Sequence, residues 1–285
     1  MSKVWLITGA SRGLGRSILE AALRDGGKVL ATARNTERFD DLKARYGENL
    51  ATFELDVTNE SHAKEAVSEA VRRFGRLDVL VNNAGYGHIQ PFEHVASEDF
   101  RAQIETNFFG VVNLTRAAIP IMRVQGSGYI FQVSSAGGRI SSPGLSAYQA
   151  AKWAVGGFSD VVGKEVSHFG IRVCTLEPGG MRTEWGHQAG STLEHLPEDY
   201  HASLADFKTL IDAYVGHEVG DPERVAGLIV TLATRPTLPA RLLLGSDAWH
   251  VVEADQQARN DAMQRWKPVT FAADFDAASP AWPSE

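Results

Sequence analysis

Cysteine is almost absent from this chain: Cys174 stands alone among 285 residues. An internal disulfide is excluded, which suits a reducing compartment. Cys174 sits in the apolar run IRVCTL, where a buried, inert thiol is expected rather than a nucleophile. Positive charge is also short. The 28 Lys and Arg against 35 Asp and Glu leave a net charge of −7, which argues against nucleic acid or an anionic membrane surface as the main partner. No apolar run approaches the roughly 18 residues that a membrane span requires. The N-terminal MSKVWLITGAS enters a strand-like run without an apolar export segment or a small-residue cleavage site, so a cytoplasmic protein is expected. The 9 histidines are scattered, with no HExxH pair and no Cys/His spacing suited to zinc; no metal is expected.

What the chain does have is alternation. Short apolar runs at 3–8, 28–33, 51–56, 77–82, 129–135 and 171–178 read as buried strands, with 240–245 as a weaker seventh. Between them, segments 16–26, 60–75, 100–122 and 147–170 carry helical spacing. Several of these end at a glycine (Gly26, Gly75, Gly170), as a left-handed helix cap prefers. Strands apolar on both faces and separated by helices imply a doubly wound parallel sheet covered on both sides, a Rossmann-type α/β fold. The expectation is one domain over 1–265, with a mobile flap at 179–220 over the substrate and a loosely held tail at 266–285.

The run TGASRGLG follows the first strand and opens a helix. Gly9, Gly13 and Gly15 let the backbone turn tightly, approach a pyrophosphate and pack the helix on the sheet. Free amides at the helix N-terminus then face the phosphates. The second strand ends ATARN, with Arg34 where a carboxylate would serve an NAD ribose, and the glycine turn adds Arg12. Two guanidiniums suit a 2′-phosphate and favour NADP(H) over NAD(H); Glu37 close by could still serve an NAD ribose.

The motifs TGASRGLG, NNAG (82–85), the asparagine of ETNFFG, the serine pair before YQAAK, and PGGMRT (178–183) occur in one order. Together they resemble the short-chain dehydrogenase/reductase family over roughly residues 3–183. The bacterial enzymes near the hydroxysteroid and retinol dehydrogenases look most similar. By position, the resemblance implies a catalytic set of Asn107, Ser135, Tyr148 and Lys152. It implies dinucleotide contacts from Gly9, Ser11, Arg12, Gly13, Leu14, Gly15, Arg34, Asp56, Val57, Asn83, Ala84, Gly85, Tyr148, Lys152, Pro178, Gly179 and Thr183, with Asn82 beside Ala84 on the nucleotide floor. Ala151 departs from the serine common there, at a position with no catalytic role.

Tyr148 and Lys152 lie one helical turn apart and are neighbours on a helix face. An ammonium beside the phenol favours phenolate and is expected to lower its pKa, so that Tyr148 exchanges a proton with a carbonyl or alcohol oxygen. The resemblance implies that Lys152 also holds the nicotinamide ribose, that Ser135 holds the substrate oxygen, and that Asn107 anchors a water chain to Lys152.

Loops at the strand ends supply Tyr86, Ile89, Phe92, Leu145, Met181 and Trp185, a lining suited to a hydrophobic ketone or secondary alcohol. Arg139 and His187 could contact an anionic group. Helices at 100–123 and 147–168 are apolar over more than one face, which predicts a homodimer or homotetramer. An NADP-binding regulator or redox sensor with little turnover is the alternative function. The family's longer epimerase branch fits less well, because about 100 residues follow the EPGG segment.

Overall fold

The computed structural model describes residues 2–190, 197–276 and 279–283, with the side chains of 187, 188 and 190 also outside that set. Strand β1 (Val4–Ile7) leads into α1 (Gly13–Arg24), β2 (Lys28–Ala33), the short α2 (Asp40–Tyr46), β3 (Leu50–Glu54), α3 (Glu60–Phe74) and β4 (Val79–Asn82). There follow α4 (Ser97–Ile104), α5 (Gly110–Gln125), β5 (Gly128–Val133), α6 (Ser146–Val166) and β6 (Ile171–Pro178). The chain closes with α7 (Glu184–Gly190), α8 (His201–Tyr214), α9 (Pro222–Leu232), β7 (Arg241–Leu244) and α10 (Ser246–Phe271). The strands form one parallel sheet in the order β3-β2-β1-β4-β5-β6-β7. The seven strand-like runs of the sequence are these seven strands.

Each strand is apolar on both sides because each side faces helices. On β1, Trp5 and Ile7 join a core with α1 and α9, where Ile18, Val225 and Ile229 are buried. Leu6, between them, points the other way into a core with α3, α5 and α6, alongside Ala66, Leu114 and Val162. The direction of winding reverses between β1 and β4, which opens a crevice at their carboxyl ends.

Three local features position the site or depart from expectation. The helix expected over 100–122 is interrupted by a π-helical turn at Glu105–Phe109. The apolar face continues through it, so periodicity does not reveal it. Within 179–220, the described residues are mostly helical, and the first turn is pinned by pairing of Met181 with Gly220. The tail expected from 266 begins later, since α10 continues to Phe271. Strong helix formers precede Pro268, and the Ala272 amide donates to the Pro268 carbonyl (3.2 Å) to close the last turn. Among the described residues, no helix is long and apolar enough to cross a membrane.

Candidate active site

The carboxyl ends of β1 to β6 bring the expected residues to one edge of the sheet. After β1 comes the glycine turn. The Thr8 hydroxyl accepts from the amides of Asn83 and Ala84 (3.0 Å each), and the Asn83 side-chain amide donates to the carbonyls of Thr8 (3.0 Å) and Gly9 (3.1 Å). Thus the NNAG segment after β4 holds the turn after β1. Two glycines there have a steric reason. A Cβ on Gly15 would lie 2.3 Å from the Gly9 carbonyl oxygen, and one on Gly9, at φ +62°, would lie 2.8 Å from Ala84 Cα. Arg12 caps α1 without a side-chain bond, and the helix's first turn carries no acidic residue. Its amides therefore face an open, positive helix end, a place for an anion. Ser11 and Gly13 are part-buried in the turn, and Leu14 anchors it in the core.

At the next two strand ends, Arg34 is exposed and Asp56 lies near it. Burial raises the Asp56 pKa, but hydrogen bonds from the Thr58 amide and hydroxyl, with the Arg34 charge, outweigh it and hold the carboxyl below its usual range. Val57 is buried against the Gly110 turn, its carbonyl accepting from Asn113 (3.0 Å). Arg12 reaches Glu184 (3.3 Å), an exposed ion pair across the mouth of the turn. Glu37 bonds to its neighbour Asn35.

Asn82 does not line the crevice. Its amide donates to Gln132 (2.7 Å) and Thr115 (3.2 Å) inside the core, because side chains alternate along a strand and residue 82 points inward while 83 points to the turn. Gly85 is tight for another reason: a Cβ there would lie 2.5 Å from Asn107 Oδ1 and 3.4 Å from Lys152 Nζ.

Asn107 sits fully buried in the π turn. Its Nδ2 donates to the carbonyls of Tyr86 and Gln103 (2.8 Å each), and its Oδ1 accepts from the Tyr86 amide (3.1 Å). The side chain thus fixes the 85–86 turn.

Ser135, Tyr148 and Lys152 come together. Ser135 lies two residues past β5 and its hydroxyl accepts from the Gly137 amide (3.0 Å); it also bonds the Tyr148 hydroxyl. Ser134 is turned away, donating to the Lys152 carbonyl (3.1 Å). Lys152, 4% exposed, donates from Nζ to the Val133 carbonyl (2.8 Å), and lies 5.6 Å from the centre of the Tyr148 ring. The expected lowering of the phenol pKa is not what this geometry gives. Burial pushes Tyr148 up to about 12, with the Ser135 bond opposing it, and burial pulls Lys152 down to about 8. Both groups are buried, and desolvation is the largest cause for each. Tyr148 is therefore a protonated donor at neutral pH.

The wall beside Tyr148 is apolar. Ile89, Leu145, Tyr148 and Ala189 form a buried cluster on which Phe207 and Ile211 of α8 pack. The Trp185 ring lies 5.2 Å from that of Tyr148. Two expected lining residues, Phe92 and Met181, and the expected anion contact Arg139 are elsewhere. Phe92 is 69% exposed and packs edge-on against Phe100. Met181 turns to the sheet core and Gly220. Arg139, part-buried, forms an ion pair with the buried Glu177 (2.7 Å), so it holds the Ser135 loop against β6 rather than meeting a substrate. His187 lies outside the described side chains. Tyr86, part-buried, pairs its ring with His88.

Pro178 ends β6 and Gly179 follows it, and Thr183 lies over Gly13, where a Cβ would approach it to 3.6 Å. Sequence reading missed Glu177, whose partners come from the Ser135 loop and from β7, and the α8 wall, which no motif marks.

The chain is similar to known proteins. A family model described as short chain dehydrogenase matches residues 3–194. "Oxidoreductase BOA17" of Botryotinia fuckeliana is 44% identical over 276 residues, covering 96% of this chain and 100% of the relative. The "3-ketodihydrosphingosine reductase" of Bacteroides thetaiotaomicron is 33% identical over 247 residues, covering 85% of this chain and 88% of the relative. A crystal structure of a short-chain dehydrogenase from Streptomyces avermitilis superposes with a TM-score of 0.87 at 35% identity, covering 96% of this chain and 100% of that one.

Proposed function

The chain belongs to the short-chain dehydrogenase family, an oxidoreductase family that uses a nicotinamide cofactor, and on that premise we propose that it is an NADP(H)-dependent reductase of a hydrophobic ketone. The secondary alcohol is the product, and Tyr148 is the general acid and base. The observation that carries this reading is the buried Tyr148 hydroxyl, bonded to Ser135, with Lys152 beneath its ring.

The residues fit a dinucleotide. The glycine turn is packed so closely that side chains would fill it, the open end of α1 would accept phosphates, and Thr183 stands over Gly13. Arg34 and Arg12 favour a 2′-phosphate. Arg12 would exchange Glu184 for it, since an exposed pair is worth at most about 1 kcal/mol.

When bound, the nicotinamide supplies the hydride. Tyr148 gives its proton to the oxygen that becomes the alcohol. Ser135 orients that oxygen, and Lys152, with a pKa near 8, stays largely charged at neutral pH and stabilises the phenolate left behind. Protonated Tyr148 suits reduction. Asn107 holds the 85–86 turn that faces Lys152, and Asp56, Val57, Asn83, Ala84 and Gly85 border the nucleotide. The apolar cluster around Ile89 and Leu145 favours an apolar substrate, and the relative named for a 3-keto compound agrees with a ketone. Exposed Phe109 of the π turn, with Trp153 and Val161 of α6, supports a homodimer or homotetramer through this face, in the cytoplasm.

The test is NADPH and NADH consumption by the purified protein on a panel of apolar and charged ketones. Turnover restricted to apolar ketones with NADPH supports the reading. Tight dinucleotide binding without turnover on any ketone or alcohol favours the sensor alternative instead.

A further inference from the structure

Beyond the catalytic set, Asp247 and Tyr214 meet at the turn that follows β6. The Gly180 amide donates to Asp247 Oδ2 (2.8 Å), and the Tyr214 hydroxyl donates to the same oxygen. The Gly179 amide donates to the Leu244 carbonyl (3.0 Å), extending the β6–β7 ladder to this point. The two partners lie far apart in sequence: Tyr214 is the last residue of α8, and Asp247 is in the first turn of α10. A carboxylate is favoured there by the helix N-terminus.

Both glycines are explained by these two side chains. A Cβ on Gly179 would lie 2.2 Å from Asp247 Oδ2, and one on Gly180 would lie 2.4 Å from Tyr214 Cε1. On its far side the turn is held by the chain after α8, where the Gly220 amide donates to the Gly180 carbonyl (3.0 Å) and the Arg182 amide to the Gly220 carbonyl (3.2 Å). Burial, with the Asp247 carboxylate beside it, pushes the Tyr214 pKa up, so the hydroxyl remains a donor.

The position matters because of what lies along the same segment. Three residues past Gly180, Thr183 stands over Gly13 at the open end of α1. One and two turns back along α8 from Tyr214, Ile211 and Phe207 pack on the Tyr148 cluster. Tyr214 therefore ties the substrate wall to the segment that borders the dinucleotide.

We infer that Asp247 and Tyr214 are positioning residues that hold the Gly179–Thr183 turn in its cofactor-binding shape and thereby set dinucleotide affinity. This rests on the dinucleotide reading above. The experiment measures the NADPH Kd by calorimetry, with melting temperature alongside, for the full chain and for Tyr214→Phe, Asp247→Ala and Asp247→Asn. Tyr214→Phe and Asp247→Ala are expected to weaken binding about tenfold, the loss of a charge-assisted hydrogen bond. Asp247→Asn should stay within about threefold of wild type, because its amide oxygen accepts from both donors. A wild type that binds neither NADPH nor NADH would overturn the dinucleotide reading and this inference with it. If wild type binds and Tyr214→Phe binds within twofold of it, only this inference falls, even if melting drops. Asp247→Asn as weak as Asp247→Ala would also overturn it, since the shared acceptor would then not be what holds the turn.

Discussion

Lys152 is a cation held where water hardly reaches, and removing its charge has a consequence for stability that can be worked out. Burial lowers its pKa from 10.5 to about 8. Between those values the unfolded chain binds a proton that the folded chain has released, so this group's contribution to stability rises with pH through that window. At about 1.4 kcal/mol per pKa unit, the full effect is about 3 kcal/mol. About 1 kcal/mol of it falls between pH 7 and 9. Lys152→Met keeps a long side chain and removes the ammonium together with its bond to the Val133 carbonyl. The orphaned carbonyl lowers stability by a roughly constant amount at every pH. Subtracting the variant from wild type at each pH also cancels other groups, including the Cys174 thiol, which burial and the Glu177 charge push up to about 12. The assay is urea unfolding without dinucleotide at pH 7, 8 and 9. Wild type should gain about 1 kcal/mol on the variant across that range. Parallel profiles would refute a buried, pKa-lowered ammonium.

Two further substitutions probe the dinucleotide side. Gly15→Ala places a methyl group 2.3 Å from the Gly9 carbonyl oxygen and 2.5 Å from Asn83 Nδ2; overpacking of about 1–3 kcal/mol should lower the melting temperature and weaken NADPH binding at least about tenfold, measured by calorimetry. Arg34→Ala should raise the KM for NADPH about tenfold or more, one charge-assisted bond, while the KM for NADH stays within about twofold; an equal rise for both would remove Arg34 from 2′-phosphate recognition.

Much of the architecture is legible in the residues because burial on both faces leaves a simple mark. The runs 28–33 and 171–178 coincide with β2 and β6 to the residue, bounded by Gly27 and Gly170, where the chain must turn. The motif residues share one edge because each follows a strand in a parallel sheet, so order along the chain becomes proximity in space. What stays hidden depends on partners from elsewhere. Arg139 looks like a free loop cation until Glu177 on β6 is placed beside it. Asn82 and Asn83 are chemically identical, and only strand parity separates core from crevice. The π turn at Asn107 preserves the apolar stripe, and the Tyr214–Asp247 contact joins residues that no motif links. The Tyr–Lys pair is visible in the sequence, but the sign of the phenol's shift is not, because burial rather than the neighbouring charge decides it.

The central claim is that the Tyr148 hydroxyl delivers the proton, and its most direct test pairs turnover with binding in Tyr148→Phe. The ring and its packing on Trp185 are kept and only the oxygen is lost. Ketone reduction should fall by at least about a hundredfold, the scale of general acid catalysis, with the NADPH Kd within about threefold of wild type. Reduction at near wild-type rate with the hydroxyl gone would contradict the mechanism at its root.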